Sequence, residues 1–171
     1  MDMMLIAYLV IALIAGFLVK LVDHIEDETK HKSKIKYPLA IAYGLLIGFL
    51  ISNSPFSTLF IAALFAQVFA MKIDCKGHVL GFFVAIASTF IYGVPYLDPA
   101  IFAFFWILAM LDEVEWMGKF APLANYRPFL KMGALVFVFA GNWDYLFGIL
   151  AFDIGYIAAI KTYSKKVKLK F

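Results

Sequence analysis

Seven apolar stretches, separated by short polar connections, constrain the fold of this chain more than any other feature of its sequence. They cover residues 4–22, 37–51, 56–71, 78–92, 99–111, 129–141 and 145–160. A helix needs about 20 apolar residues to cross the hydrocarbon core of a bilayer, or roughly 17 when long polar side chains anchor its ends. The pattern therefore predicts an all-α fold, a polytopic membrane helix bundle of about seven transmembrane helices.

The composition excludes the main soluble classes. Of the 171 residues, 64% are hydrophobic and 16% are charged, whereas a typical soluble domain is roughly 45–50% apolar and about 25% charged. A small domain in water could not bury so much apolar surface. This excludes a disordered chain and a soluble nucleic-acid-binding module, so we expect a lipid bilayer, and no nucleic acid, as partner. The single cysteine, Cys75, excludes an intramolecular disulfide and a cysteine-rich metal site.

All 15 basic residues fall on one side of the seven-span arrangement. They lie at Lys20, in the connections 23–36, 72–77 and 112–131, and in the segment 161–170. Because basic residues in short loops mark the cytoplasmic face, we expect the N-terminus outside and the C-terminus in the cytoplasm. Residues 1–171 are then a single integral-membrane domain without a soluble domain. Its basic cytoplasmic tail, 161–171, would favour anionic lipid headgroups.

The usage of basic residues also indicates a compartment. Lysine outnumbers arginine fourteen to one, beside abundant isoleucine and phenylalanine. This usage resembles that of AT-rich prokaryotes, so we expect the cell membrane of a prokaryote, its plasma membrane, as the location.

Three aspartates occupy similar positions at the cytoplasmic ends of alternate stretches. Asp23, Asp74 and Asp112 each follow an apolar stretch, and His78 lies near the second of them. If the three converge on one pocket, paired carboxylates beside lysines suit Mg²⁺-assisted handling of a phosphorylated lipid. We therefore take these three as candidate catalytic residues and Mg²⁺ as the cofactor that convergence would favour. Taken singly, Asp74 and His78 also fit a loop or a helix cap.

The spacing of Asp23 and Asp27 resembles a known motif. Four residues apart, the two share one helical face, as in the Asp-x-x-x-Asp motif of membrane prenyltransferases. The resemblance covers five residues and implies a diphosphate bound through a divalent ion. The asparagine-rich lead-in and the second aspartate motif of that family are absent from the chain. A competing interpretation is a solvated helix extension, because Glu26–Lys30, Asp27–His31 and Glu28–Lys32 are acid-before-base pairs at four-residue spacing. We favour this interpretation for Glu26 and Glu28.

Asp153 supports a different function. It lies inside an apolar stretch, about eight residues from Lys161, and so roughly 12 Å from the helix end. A carboxylate at that depth costs about 2.5 kcal/mol or more unless it is paired, hydrated or protonated. The alternative function is a small ion-coupled transporter or channel-like carrier centred on Asp153, with Gln67 and His78 as further residues of the pathway. A purely structural acid would instead bond to Gln67, Tyr43 or Tyr156.

Small residues recur at four-residue spacing in three of the stretches. They are Ala40, Gly44 and Gly48, then Gly77, Gly81 and Ala85, then Ala151, Gly155 and Ala159. In lipid, such residues let helix backbones approach closely. We expect packing within one chain rather than a dimer face, and the pattern leaves the oligomeric state open. A structural or assembly subunit without chemistry is the third functional alternative, so the sequence does not decide whether the protein is an enzyme.

Overall fold

The computed structural model describes residues 3–28, 33–113 and 126–168, with side chains as far as residue 162. These residues form seven α-helices and no strand. The helices are α1 (Met3–Glu28), α2 (Lys36–Asn53), α3 (Ser57–Phe69), α4 (Lys76–Tyr92), α5 (Pro99–Glu113), α6 (Pro128–Phe139) and α7 (Asp144–Lys168). Each helix coincides with one of the seven apolar stretches, so the prediction of an all-helical fold is confirmed for the described part of the chain.

Proline and glycine mark several helix boundaries. Pro99 and Pro128 open α5 and α6, because proline has the φ angle of a helix and lacks only an N–H that the first turn would leave unpaired. Gly93 follows α4 with φ of 111°, and Gly141 follows α6 with φ of 84°. Only glycine adopts such angles without steric cost, so the chain can leave each helix abruptly at these points.

Three helices are long and apolar enough to cross a membrane, namely α1, α2 and α7. The other helices are shorter, with 13 residues in α3, 17 in α4, 15 in α5 and 12 in α6. At a rise of 1.5 Å per residue, a helix as short as α6 extends only about 18 Å. That is less than the hydrocarbon core of about 30 Å. Length and composition alone therefore support three membrane spans.

The helices pack in pairs that the small residues make possible. The main pairs are α1 with α7, α2 with α4, and α3 with α5, while α6 lies against α5 and α7. A Cβ atom placed on Gly155 would lie 1.9 Å from the Leu13 carbonyl oxygen, and one on Gly44 would lie 2.6 Å from the Gly81 carbonyl oxygen. Side chains larger than hydrogen are thus excluded at both crossings. The glycines of α2, α4 and α7 pack within the chain, as their spacing predicts.

One end of the bundle gathers most of the described charges, and we call it the charged end. It comprises the C-terminal ends of α1, α3, α5 and α7 and the N-terminal ends of α2, α4 and α6. Contacts across it join α1 to α2 and α4 through Glu26, and α3 to α5 through Gln67 and Glu113. The remainder of the core is mainly apolar, with a few buried serine and threonine side chains. It includes the stacked rings of Phe105 and Phe137, whose centroids lie 5.3 Å apart.

Candidate functional site

A cavity of about 650 Å³ opens at the charged end and is lined by residues from all seven helices. Its volume lies in the range of roughly 300–1,000 Å³ that is usual for small-molecule sites. The polar part of its lining consists of Asp23, Tyr43, Gln67, Lys72, Asp74, His78, Asp112, Glu113, Arg127 and Tyr156. The apolar part includes Ile47, Leu59, Phe60, Ala63, Leu64, Phe82, Ile149 and Phe152.

Polar and apolar residues occupy different depths of this cavity. On α3, Gln67 lies near the charged end, and Leu59 lies eight residues earlier, about 12 Å deeper along the helix axis. On α7, Tyr156 and Ile149 are separated in the same way by about 10 Å. The cavity thus changes from a charged mouth to an apolar interior, which complements a molecule with one polar and one apolar end.

The structure brings most of the sequence-predicted site residues to this one space. Asp23, Asp74 and Asp112 all line the cavity, as do Gln67 and His78. In the described ranges 3–28, 33–113 and 126–162, however, no three His, Cys, Asp or Glu side chains lie close enough together to hold a metal ion. The three aspartates therefore share a cavity without forming a ready-made metal site.

Asp23 belongs to a short chain of polar contacts that crosses from α1 to α2. Its carboxylate accepts a hydrogen bond from Lys20, and its Oδ1 lies 3.8 Å from His78 Nε2. On the other side of the imidazole, His78 Nδ1 lies 3.2 Å from the Tyr43 hydroxyl. The exposed Asp27 is not among the residues that line the cavity. The two members of the Asp-x-x-x-Asp spacing therefore do not both face the cavity.

Asp112 makes contacts that stabilise the fold. Its Oδ1 accepts the Phe129 N–H at 2.9 Å and its Oδ2 accepts the Leu130 N–H at 2.8 Å. These two donors belong to the first turn of α6, where N–H groups have no partner within the helix. Asp112 thus caps α6 from α5, and its neighbour Glu113 accepts a hydrogen bond from Gln67 instead. Asp74, in contrast, is exposed in the connection between α3 and α4.

Asp153 has partners that differ from those considered from the sequence. It is buried, its Oδ1 accepts a hydrogen bond from Arg127 Nη1 at 2.7 Å, and its Oδ2 lies 2.6 Å from Lys131 Nζ. The Arg127 guanidinium also lies over the rings of Phe152 and Tyr156, at 5.3 and 5.0 Å from their centroids. Asp153 itself does not line the cavity, but Arg127 does. Two cations therefore surround one carboxylate behind the cavity wall.

The prediction of a solvated face is wrong for Glu26. The residue is only 2% exposed, and its carboxylate accepts hydrogen bonds from Lys36 Nζ at 2.7 Å and from the Gly77 N–H at 2.9 Å. The four-residue spacing predicts partners on the same helix, whereas the observed partners belong to α2 and α4. Glu28 is exposed, as expected. The predicted partners Lys30, His31 and Lys32 lie outside the described residues. So do the segment 114–125, which contains a further acid-before-base pair at four-residue spacing, Glu115–Lys119, and the tail side chains beyond residue 162.

Cys75 lies directly before α4 and beside the Glu26 contact. Burial, together with the nearby Glu26 carboxylate, raises the pKa of the Cys75 thiol to about 11. The thiol is therefore protonated at neutral pH, and it is neither a ready nucleophile nor a ready metal ligand, since both roles require the thiolate.

Comparison with protein-family models, with curated proteins and with solved structures finds no match to this chain. The cavity, its charges and the apolar helices are therefore the features from which a function can be inferred. Among them, the change from a charged mouth to an apolar interior is the most specific.

Proposed function

We propose that the protein is a multi-pass protein of a cell membrane that binds the headgroup of a phosphorylated lipid in the cavity at its charged end. In this proposal all seven helices belong to the membrane domain and the charged end faces the cytoplasm. The confinement of the 15 basic residues to one side of the sequence pattern supports that orientation. The basic segment after residue 160 would then face anionic headgroups of the same leaflet.

The observation that carries the proposal is that the cavity changes from a charged mouth, which includes two cations beside the carboxylates, to an apolar interior. Lys72 and Arg127 line its polar part. Lys72 is exposed and, among the described residues, has no carboxylate within ion-pair distance. A phosphate group would provide the missing anion, while the chain of the lipid would replace water in the apolar interior, a transfer that is favourable for hydrocarbon.

The acidic residues of the cavity suit a metal complex of the lipid rather than a resident metal ion. Magnesium commonly binds through one or two carboxylates together with phosphate oxygens of the substrate. Asp23 and Asp74 are the carboxylates that would share such an ion with the lipid phosphate. This arrangement agrees with the finding that the described acidic side chains form no three-ligand cluster by themselves.

A second function, a small ion-coupled carrier, is favoured by the buried acid on α7. Asp153 lies between Arg127 and Lys131, and Arg127 reaches the cavity wall. Protonation of Asp153 would release both cations, which is the kind of charge change that couples ion movement to transport. Uptake into vesicles that depends on Asp153 would distinguish this function from lipid binding.

The proposed function is tested by measuring which lipids the purified protein retains. The protein is placed in nanodiscs that contain equal amounts of phosphatidic acid and phosphatidylcholine, and the retained lipid is counted by native mass spectrometry. We expect preferential retention of phosphatidic acid. The Lys72→Ala variant should weaken this retention about fivefold, because a lysine near an anionic lipid contributes about 1 kcal/mol.

Lys76→Ala is the matched control, since Lys76 is exposed in the same region but does not line the cavity. Its retention should equal that of the wild type. Equal retention of both lipids by the wild type, or equal losses in the two lysine variants, would overturn the proposal. A protein that retains no lipid and transports no ion would leave the structural subunit as the function.

A further inference from the structure

A second hollow, of about 430 Å³, opens at the surface between the end of α3 and the start of α4. Its lining is apolar except for Asp74 and includes Val68, Met71, Val79 and Phe83. Met71 is 84% exposed and Phe83 is 63% exposed. The hollow is therefore an apolar surface directed away from the bundle.

This hollow adjoins the charged cavity. Ile73, Asp74 and Phe82 line both spaces, so the side chains of Ile73 and Phe82 form the wall between them. The two flanking helices are both fully described, yet they are not a packed pair. The partners of α3 are α5 and α2, and the partners of α4 are α2 and α1. Side chains rather than a helix–helix interface thus close the bundle at this point.

The backbone near the hollow separates the two helices. Met71, just after α3, adopts a left-handed conformation with φ of 55°, which is uncommon for a residue other than glycine. The chain then continues through Lys72, Ile73 and Asp74 before α4 begins at Lys76. This connection places a cation at the mouth of the cavity and an apolar side chain in the wall of the hollow.

We propose that the space between α3 and α4 is a lateral opening, through which the hydrocarbon chain of the bound lipid passes from the cavity into the bilayer. The inference rests on the proposed function and specifies its ligand. The ligand class is a phosphorylated lipid whose chain stays in the membrane, rather than a water-soluble phosphate compound.

The positions of the residues agree with such a path. Val79 and Phe83 lie three and seven residues after the start of α4, so they are about 5 and 10 Å along the helix axis from its charged end. At this depth the headgroup region of a bilayer gives way to hydrocarbon. A phosphate at Lys72 would therefore lie above the hollow, and an attached chain would follow Phe82 and Phe83 outward.

The opening is tested with phosphatidic acid that carries a diazirine in its acyl chain. The full-length protein in nanodiscs is irradiated with this lipid, and the adducts are mapped by peptide mass spectrometry. We expect adducts at Val79, Phe82 and Phe83 that an excess of unlabelled phosphatidic acid suppresses severalfold. Phe90 is the internal control, because it is exposed on the same face of α4, two helical turns away, and does not line the hollow. Its adducts come from bulk lipid and should resist competition.

A second measurement uses a variant that fills the hollow. Val79→Trp should slow the exchange of bound phosphatidic acid severalfold, whereas Ile91→Trp, on the exposed surface of the same helix, should not. Suppressible adducts at a different pair of helices would overturn the lateral opening, as would an unchanged exchange rate. The hollow would instead be a dimer contact if these residues formed cross-links between two copies of the chain and no lipid adducts. That result would also overturn the lateral opening.

These outcomes separate the opening from the proposed function. If Lys72→Ala loses phosphatidic acid but the adducts at Phe82 and Phe83 resist competition, the opening is wrong while headgroup binding stands. If no adduct is suppressed anywhere and Lys72→Ala has no effect, both proposals fail.

Discussion

Glu26 and Lys36 form an ion pair in the interior where α1, α2 and α4 meet. Glu26 Oε2 lies 2.7 Å from Lys36 Nζ, and the two side chains are only 3% and 1% exposed. Gly77 completes the contact by donating its N–H to Glu26 Oε1. Because Gly77 has no side chain, the α4 backbone can approach the carboxylate. A Cβ at this position would lie 2.9 Å from Oε1.

Removing one partner of this pair should destabilise the bundle strongly. A buried charge that loses its partner costs about 3–5 kcal/mol, so Glu26→Gln should lower the free energy of unfolding by that amount. Glu28→Gln is the control, because Glu28 is exposed on the same helix, and its effect should stay within about 0.5 kcal/mol. Denaturant unfolding in detergent measures both. Similar stability of the two variants would contradict the assigned ion pair.

Asp112→Ala should weaken the start of α6. The loss of a side chain that accepts the N–H groups of a first helical turn costs about 0.5–2 kcal/mol. The amides of Phe129 and Leu130 should also exchange with solvent faster, which hydrogen-exchange mass spectrometry detects. Asp74→Ala, at the exposed aspartate of the same cavity, should change neither property. If Asp112→Ala altered lipid retention without altering exchange, its main role would be in the cavity rather than in the cap.

Cys75 should react slowly with thiol reagents. With a pKa of about 11, only about one thiol in a thousand is ionised at pH 8, against about one in four for an ordinary thiol of pKa about 8.5. Its alkylation rate should rise about tenfold per pH unit up to about pH 10, since the thiolate is the reactive form. The neighbouring exposed position, as Lys76→Cys in a Cys75→Ala chain, is the control, and its rate should level off above about pH 8.5. Equal pH profiles would show that burial does not protect the thiol.

Asp153→Asn should increase the retention of phosphatidic acid. The substitution leaves Arg127 and Lys131 without their shared carboxylate, and Arg127 lines the cavity, so its guanidinium becomes available to a lipid phosphate. Native mass spectrometry in nanodiscs measures the change, with Asp144→Asn at the opposite end of α7 as control. Unchanged retention, combined with loss of ion-coupled uptake, would favour the carrier over the lipid-binding protein.

The orientation is tested by labelling whole cells with a membrane-impermeant maleimide. In a Cys75→Ala chain, Tyr96→Cys should react, because Tyr96 is exposed in the connection between α4 and α5, at the end opposite the charges. Lys76→Cys should react only after the cells are opened. Reaction of both in intact cells, or the reverse order, would contradict the proposed orientation.

The sequence predicts the helices well because each one contains a long apolar stretch, and proline or glycine marks several of the helix ends. It also predicts that Asp23, Asp74 and Asp112 belong to the same end of the bundle. It does not predict the partners of the buried charges. Arg127 and Asp153 are separated by 26 residues, and Glu26 and Gly77 by 51. Such contacts depend on which helices are neighbours and on how each helix is rotated about its axis. The hydropathy along one chain determines neither the neighbours nor the rotation.

The close crossing of α1 and α7 has a consequence for biosynthesis. A Cβ at Gly16 would lie 2.1 Å from the Phe152 carbonyl oxygen, so the surface of α1 around this glycine is shaped for a helix that the ribosome makes more than a hundred residues later. Until α7 has been made, this surface lacks the helix that covers it in the finished fold. Since Phe152 and Tyr156 also line the cavity, an unfinished chain that lacks α7 cannot form the complete cavity.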